Sequence, residues 1–463
     1  MYNIHKQTLG EHPHVPTPCA HFVPPISKFN QTPALIAYSY STPLLTSHIQ
    51  FVIYPKMNEK NGYMNNNHIK QITVFGAGNA GITEATRIKL QFPEIRIILY
   101  NRTSDEKSCK KLALLQCHKM FHLSGIYQGQ TKPDVVTPRI DESAKGSEVI
   151  IITTTANAHG SIASQIAPYL YHGQIILIFA GGIDSKFLMA KKIREEGCTA
   201  HVTFADADTF IYATKIIQLS PRRIEVLVKA RKQKLYLSVL PSKRMSHVLQ
   251  LLAGSIYPDQ FIGCHDPLQA GINDAPGLHI IGIIMQRKRI EAQEDFNFYL
   301  GLTKEMTQMI EELDRERIAV AHAMGIRNCP TTRDFLHTAY NIPLTDGGSE
   351  RSLFDMVHDE GTPYYNPPGG PIRSPAPKKM NHRYLYEEVT TRVVPLYHMA
   401  KVLGIDTPLH KRIIEQAGEI LNHNYFKEGR SLDDLGLSPH DILNWQIAKK
   451  RFERSFDSLF PGS

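Results

Sequence analysis

Glycines at positions 76, 78 and 81 are spaced as G-x-G-x-x-G, directly after an apolar run at residues 72–75. A glycine-rich turn between a strand and a helix lets the backbone approach a pyrophosphate, and the N–H groups at the helix N-terminus then bind the phosphate oxygens. The apolar run has the composition of a buried strand, and the residues after the glycines that of a helix. The segment therefore predicts a dinucleotide-binding loop formed by Gly76, Ala77, Gly78, Asn79, Ala80 and Gly81.

The end of the second predicted strand selects between the two nicotinamide dinucleotides. A carboxylate at this place binds the ribose 2′-hydroxyl of NAD. This chain has Asn101, Arg102 and Thr103 there, and its first carboxylate is Asp105. An arginine can pair with a 2′-phosphate, while Asn101 and Thr103 can donate hydrogen bonds. We predict NADP(H) as the preferred cofactor and NAD(H) as the alternative, since Asp105 could fold back towards the ribose.

Short apolar strands alternate with helical segments between residues 70 and 264, an order typical of a doubly wound parallel sheet. The continuous apolar character of the strands fits burial on both faces. Thr154, at the end of the third strand, completes the predicted cofactor-binding set in this domain. Two apolar runs within residues 222–240 predict a strand pair that adds an antiparallel edge. The predicted strands cover residues 71–78, 95–101, 147–155 and 173–182.

From residue 265 to residue 463 the pattern is helical. Residues 303–325 place apolar side chains on one helix face and end at Gly325, a typical helix C-terminal residue. Thr407 with Pro408, and Ser438 with Asp441, are helix-start signals. The Pro- and Gly-rich residues 361–379 predict a loop. The predicted fold class is α/β plus all-α, with a Rossmann-type domain followed by a helical domain and the site in the cleft between them.

The composition excludes several function classes. The chain has 463 residues, 42% apolar and 21% charged, which is typical of a globular protein of more than one domain. Its net charge of +8 is mildly basic. The densest basic stretch, residues 229–234, is short and has no interleaved aromatic residues, so we predict no nucleic-acid partner. No run of 18 apolar residues occurs, so we predict no membrane span.

The cysteine and histidine spacings favour neither disulfides nor a metal site. The six cysteines form no CxxC pair, which indicates reduced thiols and a cytoplasmic location. Residues 1–69 are rich in Pro, Thr, Ser, Asn and His and predict an irregular extension. This extension contains four residues that match no zinc-ligand spacing, and we predict no metal site from them: His12, His14, Cys19 and His21.

Three motifs in the helical half follow one another in a specific order. They are NDAPGLH at residues 273–279, HRYLYEEVTTRVVPL at 382–396 and LGIDTP at 403–408. With GAGNAG at 76–81, they resemble the opine dehydrogenase family of octopine/nopaline type, over roughly residues 70–425. The resemblance implies an NAD(P)-dependent dehydrogenase acting on a CH–NH bond. Such enzymes condense an amino acid with a 2-keto acid, reversibly, and NAD(P)H delivers hydride to the imine carbon.

The same resemblance assigns roles to residues of the helical half. His279 resembles the catalytic acid/base, a role that suits a side chain with a pKa near 7. Glu388 stands where the family has an aspartate that orients this histidine, so the chain departs from the family pattern at this position. Arg383 resembles an arginine that reaches the cofactor pyrophosphate. Both substrates carry carboxylates, and we predict that three further residues of the cleft bind them: Asn273, Lys215 and Arg392.

Two other functions fit parts of the sequence. A ketopantoate-reductase-like or glycerol-3-phosphate-dehydrogenase-like enzyme would share the two-domain plan but needs a catalytic lysine in the helical domain. The helix at 303–325 offers only Lys304, at its edge, which disfavours that reading. A non-catalytic NADP(H)-binding sensor is the other alternative. In the favoured reading the partners are small-molecule substrates, and the protein is a monomer or a homodimer.

Overall fold

The computed structural model describes residues 69–366, residue 372 and residues 374–457, the last three by their backbone alone. The predicted N-terminal extension, with its histidines and cysteine, lies outside the described residues apart from Ile69. The middle of the predicted loop at 361–379 also lies outside them. The strands of the described part, in chain order, are β1 (Gln71–Phe75), β2 (Arg96–Tyr100), β3 (Phe121–Gly125), β4 (Gly129–Thr131), β5 (Val135–Thr137), β6 (Val149–Ile152), β7 (Ile175–Phe179), β8 (Thr203–Ala207), β9 (Tyr212–Leu219), β10 (Ile224–Arg231), β11 (Leu235–Leu240), β12 (Phe261–Gly263), β13 (Thr345–Asp346) and β14 (Ser349–Glu350).

The main sheet has the order β12-β11-β8-β7-β6-β1-β2-β5. From β8 to β5 every neighbouring pair is parallel, as the alternation of strands and helices predicts. The strands β1, β6 and β7 are almost wholly buried along their length, because helices cover both faces of the sheet. This confirms the predicted Rossmann-type sheet. A second sheet has the order β4-β3-β10-β9, and β13 pairs with β14.

The predicted strand pair within residues 222–240 is wrong. β10 pairs with β9 and β3 in the second sheet, whereas β11 runs antiparallel to β8 in the main sheet. The burial patterns give the physical reason. Buried and half-buried side chains alternate along most of β10, as in a strand with one covered face, while β11 is buried on both faces. The antiparallel pair near the edge of the main sheet is therefore formed by β11 and β8, and not by the two predicted strands with each other.

The helices surround the main sheet and then form the helical half. Ser438 with Asp441 forms a reciprocal capping box at α17, as predicted. Thr407 and Pro408 stand at the start of α15 as predicted, but the Thr407 side chain makes no capping hydrogen bond. The helices of the described residues are α1 (Asn79–Gln91), α2 (Glu106–Cys117), α3 (Ile140–Ala144), α4 (His159–Ile166), α5 (Ser185–Glu195), α6 (Met245–Ala253), α7 (Gln269–Asn273), α8 (Gly277–Met285), α9 (Arg287–Glu291), α10 (Lys304–Ala323), α11 (Thr332–Tyr340), α12 (Leu353–Val357), α13 (Arg383–Glu388), α14 (Val394–Leu403), α15 (Pro408–Leu421), α16 (Tyr425–Glu428), α17 (Pro439–Leu443) and α18 (Trp445–Asp457). No helix in this part of the chain is both long and apolar enough to cross a bilayer.

A π-helical turn, Val389–Val393, joins α13 to α14 and packs against the ends of the parallel strands. Pro395 has no N–H to donate to the carbonyl of Thr391, four residues earlier. This carbonyl accepts the N–H of Ile183, just after β7, at 2.8 Å. Gly182 makes the approach possible, because a Cβ there would lie 2.6 Å from the Thr391 carbonyl oxygen.

Further hydrogen bonds hold the helical half on the sheet. The side chain of Glu387 accepts the N–H of Ala156, after β6, at 2.8 Å, and Asn157 donates to the Thr390 hydroxyl at 2.8 Å. Arg430 is buried and donates to the carbonyl oxygen of Ile183 at 2.7 Å. The turn between α13 and α14 is thus fixed to the carboxyl ends of β6 and β7.

Replacing Gly182 by alanine tests this docking. Its φ is +69°, and Gly197 has a similar φ of +75° with no atom within 4 Å of the position of a Cβ. We expect Gly197→Ala to lower the free energy of unfolding by about 1 kcal/mol through backbone strain alone. Gly182→Ala should lower it by about 2 kcal/mol more, because its Cβ also overlaps Thr391. Urea denaturation measures both variants, and equal losses would contradict the close approach.

Candidate functional site

A cleft of about 590 Å³ extends from the glycine loop to α8 and α13. Its walls come from the carboxyl ends of β1, β6, β7 and β8, from β9, and from the helical half. Ligands of open α/β sheets bind at the carboxyl ends of the strands, where the strand order reverses. The volume is in the range of small-molecule and cofactor sites.

The glycine loop has the geometry that a pyrophosphate needs. Gly76 has a φ of +105°, and a Cβ on Gly81 would overlap the Gly76 carbonyl oxygen, so both positions require glycine. A Cβ on Gly78 would meet no atom within 4 Å, which leaves the start of α1 open to the cleft. The first turn of α1 carries no acidic residue and no side-chain cap. These observations fit a dinucleotide, whose phosphate charge the helix N-terminus would stabilise.

Threonines after β6 continue the same wall. The Thr153 hydroxyl donates to the carbonyls of Phe75 and Gly76, which fixes the glycine turn. The Thr154 hydroxyl oxygen is buried at the cleft and has no hydrogen-bond partner among the described residues. A buried hydroxyl normally has a partner, so this atom suits a polar group of a bound cofactor.

The turn after β2 presents Arg102 to solvent. Both amide hydrogens of Asn101 are donated within the turn, to the carbonyls of Arg102 and Ser108, so this geometry does not support the prediction that Asn101 donates to the cofactor. Thr103 is exposed. Asp105 caps α2 by accepting the N–H of Ser108 at 2.8 Å, and its other oxygen lies 3.9 Å from the Arg102 guanidinium. Asp105 is therefore used by α2, while Arg102 remains exposed.

His279 lies in the first turn of α8 at the other end of the cleft. Its Nδ1 lies 2.8 Å from Oε1 of Glu388, the pair predicted from the sequence. Its Nε2 lies 2.9 Å from the hydroxyl of Tyr299. The imidazole stacks on the ring of Tyr384, with centroids 3.9 Å apart and planes inclined by 7°. Three contacts thus fix the position and the tilt of the ring.

Arg392 lies behind Glu388 and is fully engaged by protein acceptors. Its Nε is 3.1 Å from Oε2 of Glu388 and donates to Asp274 at 2.6 Å. Its terminal nitrogens donate to the Thr391 hydroxyl and to the carbonyl of Ala180. The sequence-based prediction that Arg392 binds a substrate carboxylate is not supported by this geometry, because its donors are already used.

The three charges behind the imidazole shift one another's pKa values. Burial opposes the charge of Glu388, but Arg392 and the His279 hydrogen bond outweigh it and lower the pKa of Glu388. Burial raises the pKa of Asp274 to about 7, although Arg392 acts in the opposite direction. Burial also lowers the pKa of His279, more than Glu388 raises it. A neutral His279 beside an ionised Glu388 carries its proton on Nδ1, so Nε2 accepts from Tyr299.

Three other predicted residues line the cleft, and their polar groups are not taken up by protein partners as those of Arg392 are. Arg383 is partly exposed and lies 3.8 Å from a carboxylate oxygen of Glu387. Lys215 is exposed on β9. Asn273 is buried, and neither the oxygen nor the nitrogen of its side-chain amide has a partner among the described residues. The side chains of Arg383 and Lys215 and the unpartnered amide of Asn273 therefore line the space between the glycine loop and His279.

Sequence reasoning missed several residues of this cleft. Asp274 and Tyr384 lie inside the quoted motifs, so their position next to Asn273 and Arg383 was an available signal. Tyr299 lies outside every motif, and only the fold brings it to His279. Glu387 is buried at the domain contact and lines the cleft. Within the described ranges, no three His, Cys, Asp or Glu side chains are arranged to hold a metal ion.

The sequence is similar to proteins of known activity. Residues 264–421 match the family model described as NAD/NADP octopine/nopaline dehydrogenase, alpha-helical domain. An opine dehydrogenase of Arthrobacter sp. (strain 1C) is 29% identical over 312 residues, which are 67% of this chain and 81% of that protein. The protein ocs of Agrobacterium tumefaciens (strain Ach5) is 22% identical over 79% of this chain and 95% of its own length.

Solved structures share the fold. Octopine dehydrogenase with NADH and L-arginine has a TM-score of 0.62 at 18% identity, covering 82% of this chain and 98% of that one. Yersinopine dehydrogenase with NADP+ has a TM-score of 0.57 at 16% identity, covering 84% of this chain and 100% of that one. By its helical-domain match, its curated relative and this shared fold, the chain is similar to the opine dehydrogenases, which are NAD(P)-dependent dehydrogenases that act on a CH–NH bond.

Proposed function

We propose that the protein catalyses the NADPH-dependent, reversible condensation of an amino acid with a 2-keto acid. One observation carries the proposal: the His279–Glu388 pair, at 2.8 Å, stands in the same cleft as the glycine loop. A proton-transfer group and a dinucleotide site in one cleft are what the reduction of a C=N bond requires. The octopine dehydrogenase structures, which contain L-arginine or pyruvate, support this substrate class by analogy.

The cofactor would be held by residues of both halves. The N–H groups at the start of α1 would bind the pyrophosphate, the Thr154 hydroxyl would take a polar group, and Arg383 would approach from the helical half. Arg102 would pair with the 2′-phosphate that distinguishes NADPH from NADH. Bound NADPH supplies the hydride.

The protein's own groups perform the proton transfers. The neutral His279 takes a proton at Nε2 from the ammonium group of the amino acid, which frees the amine to add, and delivers that proton to the keto oxygen, which leaves as water; the reverse direction runs the same transfers backwards. Glu388 orients the imidazole and stabilises its charged form. Arg392 and Asp274 act as positioning residues, because Arg392 lies against Glu388 and Asp274 against Arg392. They leave the carboxylate of the keto acid to Lys215 and the Asn273 amide.

His279→Ala tests the acid/base role. Protein, NADPH, an amino-acid panel and either pyruvate or 2-oxoglutarate are incubated, absorbance follows NADPH, and mass spectrometry identifies the product. We expect oxidation that needs both substrates in the wild type, and a loss of about 100-fold or more in His279→Ala with NADPH affinity almost unchanged. His322→Ala, an exposed histidine of α10, is the matched control. An unchanged rate in His279→Ala would overturn the assignment, and oxidation with a keto acid alone would favour a simple reductase.

Arg102→Ala tests the cofactor preference. A charge-assisted bond to the 2′-phosphate corresponds to about a tenfold or greater loss of kcat/KM for NADPH, with little change for NADH. Arg96→Ala removes an exposed arginine at the opposite end of β2 and should change neither value. Steady-state kinetics with both cofactors measure the ratio. A wild-type preference for NADH would refute the assignment.

Glu388→Gln tests the coupling of the pair. The charge and hydrogen bond of Glu388 raise the pKa of His279 against the effect of burial. Their removal should therefore lower the pKa of His279 further. NMR titration of histidine-labelled protein measures this, with the His279→Ala spectrum identifying the signal. His410, whose Nδ1 lies 2.6 Å from Glu316, should titrate as before and serves as an internal reference. An unchanged or raised pKa of His279 is the contrary result.

A further inference from the structure

A second pair of opposite charges, Asp208 and Lys232, lines the same cleft and has no part in the proposed proton transfers. Asp208 directly follows β8, and Lys232 directly follows β10. Both are almost completely buried, with 5% and 7% of their surfaces exposed. Backbone hydrogen bonds fix them, since Asp208 donates to Tyr236 at 3.0 Å and Lys232 to Ile211 at 2.8 Å. The two turns therefore hold both side chains at defined places in the cleft wall.

The ammonium of Lys232 has donors to spare. It donates to the carbonyl of Phe210 at 2.6 Å and lies 5.9 Å from the ring centroid of Tyr340. No carboxylate of the described residues forms an ion pair with it. A lysine ammonium has three N–H donors, and a buried charge is costly unless it is paired. Burial accordingly lowers the pKa of Lys232 to about 8, against the attraction of Asp208.

The carboxylate of Asp208 is complementary to this lysine but is also incompletely satisfied. Its Oδ1 is buried and has no hydrogen-bond partner among the described residues. Burial, and then the neighbouring Asp274, raise the pKa of Asp208 well above its usual range. A cationic donor entering the cleft would supply the missing partner, just as an anion would for Lys232.

We propose that Asp208 and Lys232 form the subsite for the head group of the amino-acid substrate, in which Lys232 binds the carboxylate and Asp208 binds the amino group. The inference rests on the proposed function, in which the bound amino acid is then condensed with a 2-keto acid. A zwitterion completes both buried charges, whereas a keto acid offers no cation to Asp208. Asp208, Lys232 and His279 line one and the same cleft, so the subsite and the proposed acid/base group face a common space.

Calorimetric titration of the NADPH-loaded protein tests the subsite. The twenty standard amino acids are titrated first, and the tightest is compared with its desamino acid and its decarboxylated amine. We expect each analogue to bind at least tenfold more weakly, since each lacks one of the two charge-assisted contacts. Lys232→Met and Asp208→Asn should each weaken the amino acid by roughly tenfold or more. Neither should change the affinity for NADPH, which also reports correct folding, and Lys232→Arg should recover part of the loss.

Lys234→Met is the matched control. Lys234 belongs to the same segment, pairs with Asp259 and lies outside the cleft lining, so its loss should leave amino-acid binding unchanged. An amino-acid affinity that is unchanged in both Lys232→Met and Asp208→Asn would refute the subsite. The absence of binding by any standard amino acid would refute it too. If the protein turns over substrate but its amino-acid affinity is unchanged by both substitutions, the proposed reaction is supported and the subsite is refuted. Binding that depends on both residues without turnover would keep the subsite and refute the reaction.

Discussion

The structure depends on the contact between the carbonyl of Thr391 and the N–H of Ile183. Pro395 leaves this carbonyl without its usual helical donor, and Gly182 leaves space for it. The same helical turn carries Arg392 and follows Glu388 directly. The hydrogen bond that docks the helical half on the sheet therefore also sets where the carboxylate meets His279. A shift of the docking contact would therefore move Glu388 relative to the glycine loop.

Glu388 stands where the resemblance in sequence predicts an aspartate, and the structure gives it two partners. One of its oxygens reaches His279 at 2.8 Å, and the other lies 3.1 Å from Arg392. Arg392 in turn is shared with Asp274, whose pKa burial raises to about 7. One carboxylate thus connects the imidazole to a buried guanidinium. The charge on Glu388 is held by the arginine, so the histidine contacts an acceptor that stays ionised.

The sequence predicted the parts whose signals are local. The glycine loop depends on residues two to five apart, and Ser438 with Asp441 marks the start of its own helix, so these features agree with the structure. Thr407 stands at the start of its helix but does not cap it. Residues with long-range partners were harder to assign. Arg392 is a polar residue near the cleft, but its donors contact Asp274 and the carbonyl of Ala180, which are 118 and 212 residues away in the chain. The acceptors of Asn101 are near in the chain, but the shape of the turn after β2 decides that they take both of its amide hydrogens. Tyr299 lies in the connection between α9 and α10, and no pattern in the sequence encodes its distance from His279 on α8.

The three contacts that fix the His279 ring affect the energetics of the proposed reaction. Glu388, Tyr299 and Tyr384 leave the imidazole with one tautomer and one ring plane before any substrate arrives. A free side chain would lose that rotational freedom on the way to the transition state, and the loss would add to the barrier. Here the ordering occurs during folding instead. The free energy of folding of the helical half therefore offsets the loss of side-chain entropy. In the proposed reaction this loss does not add to the barrier.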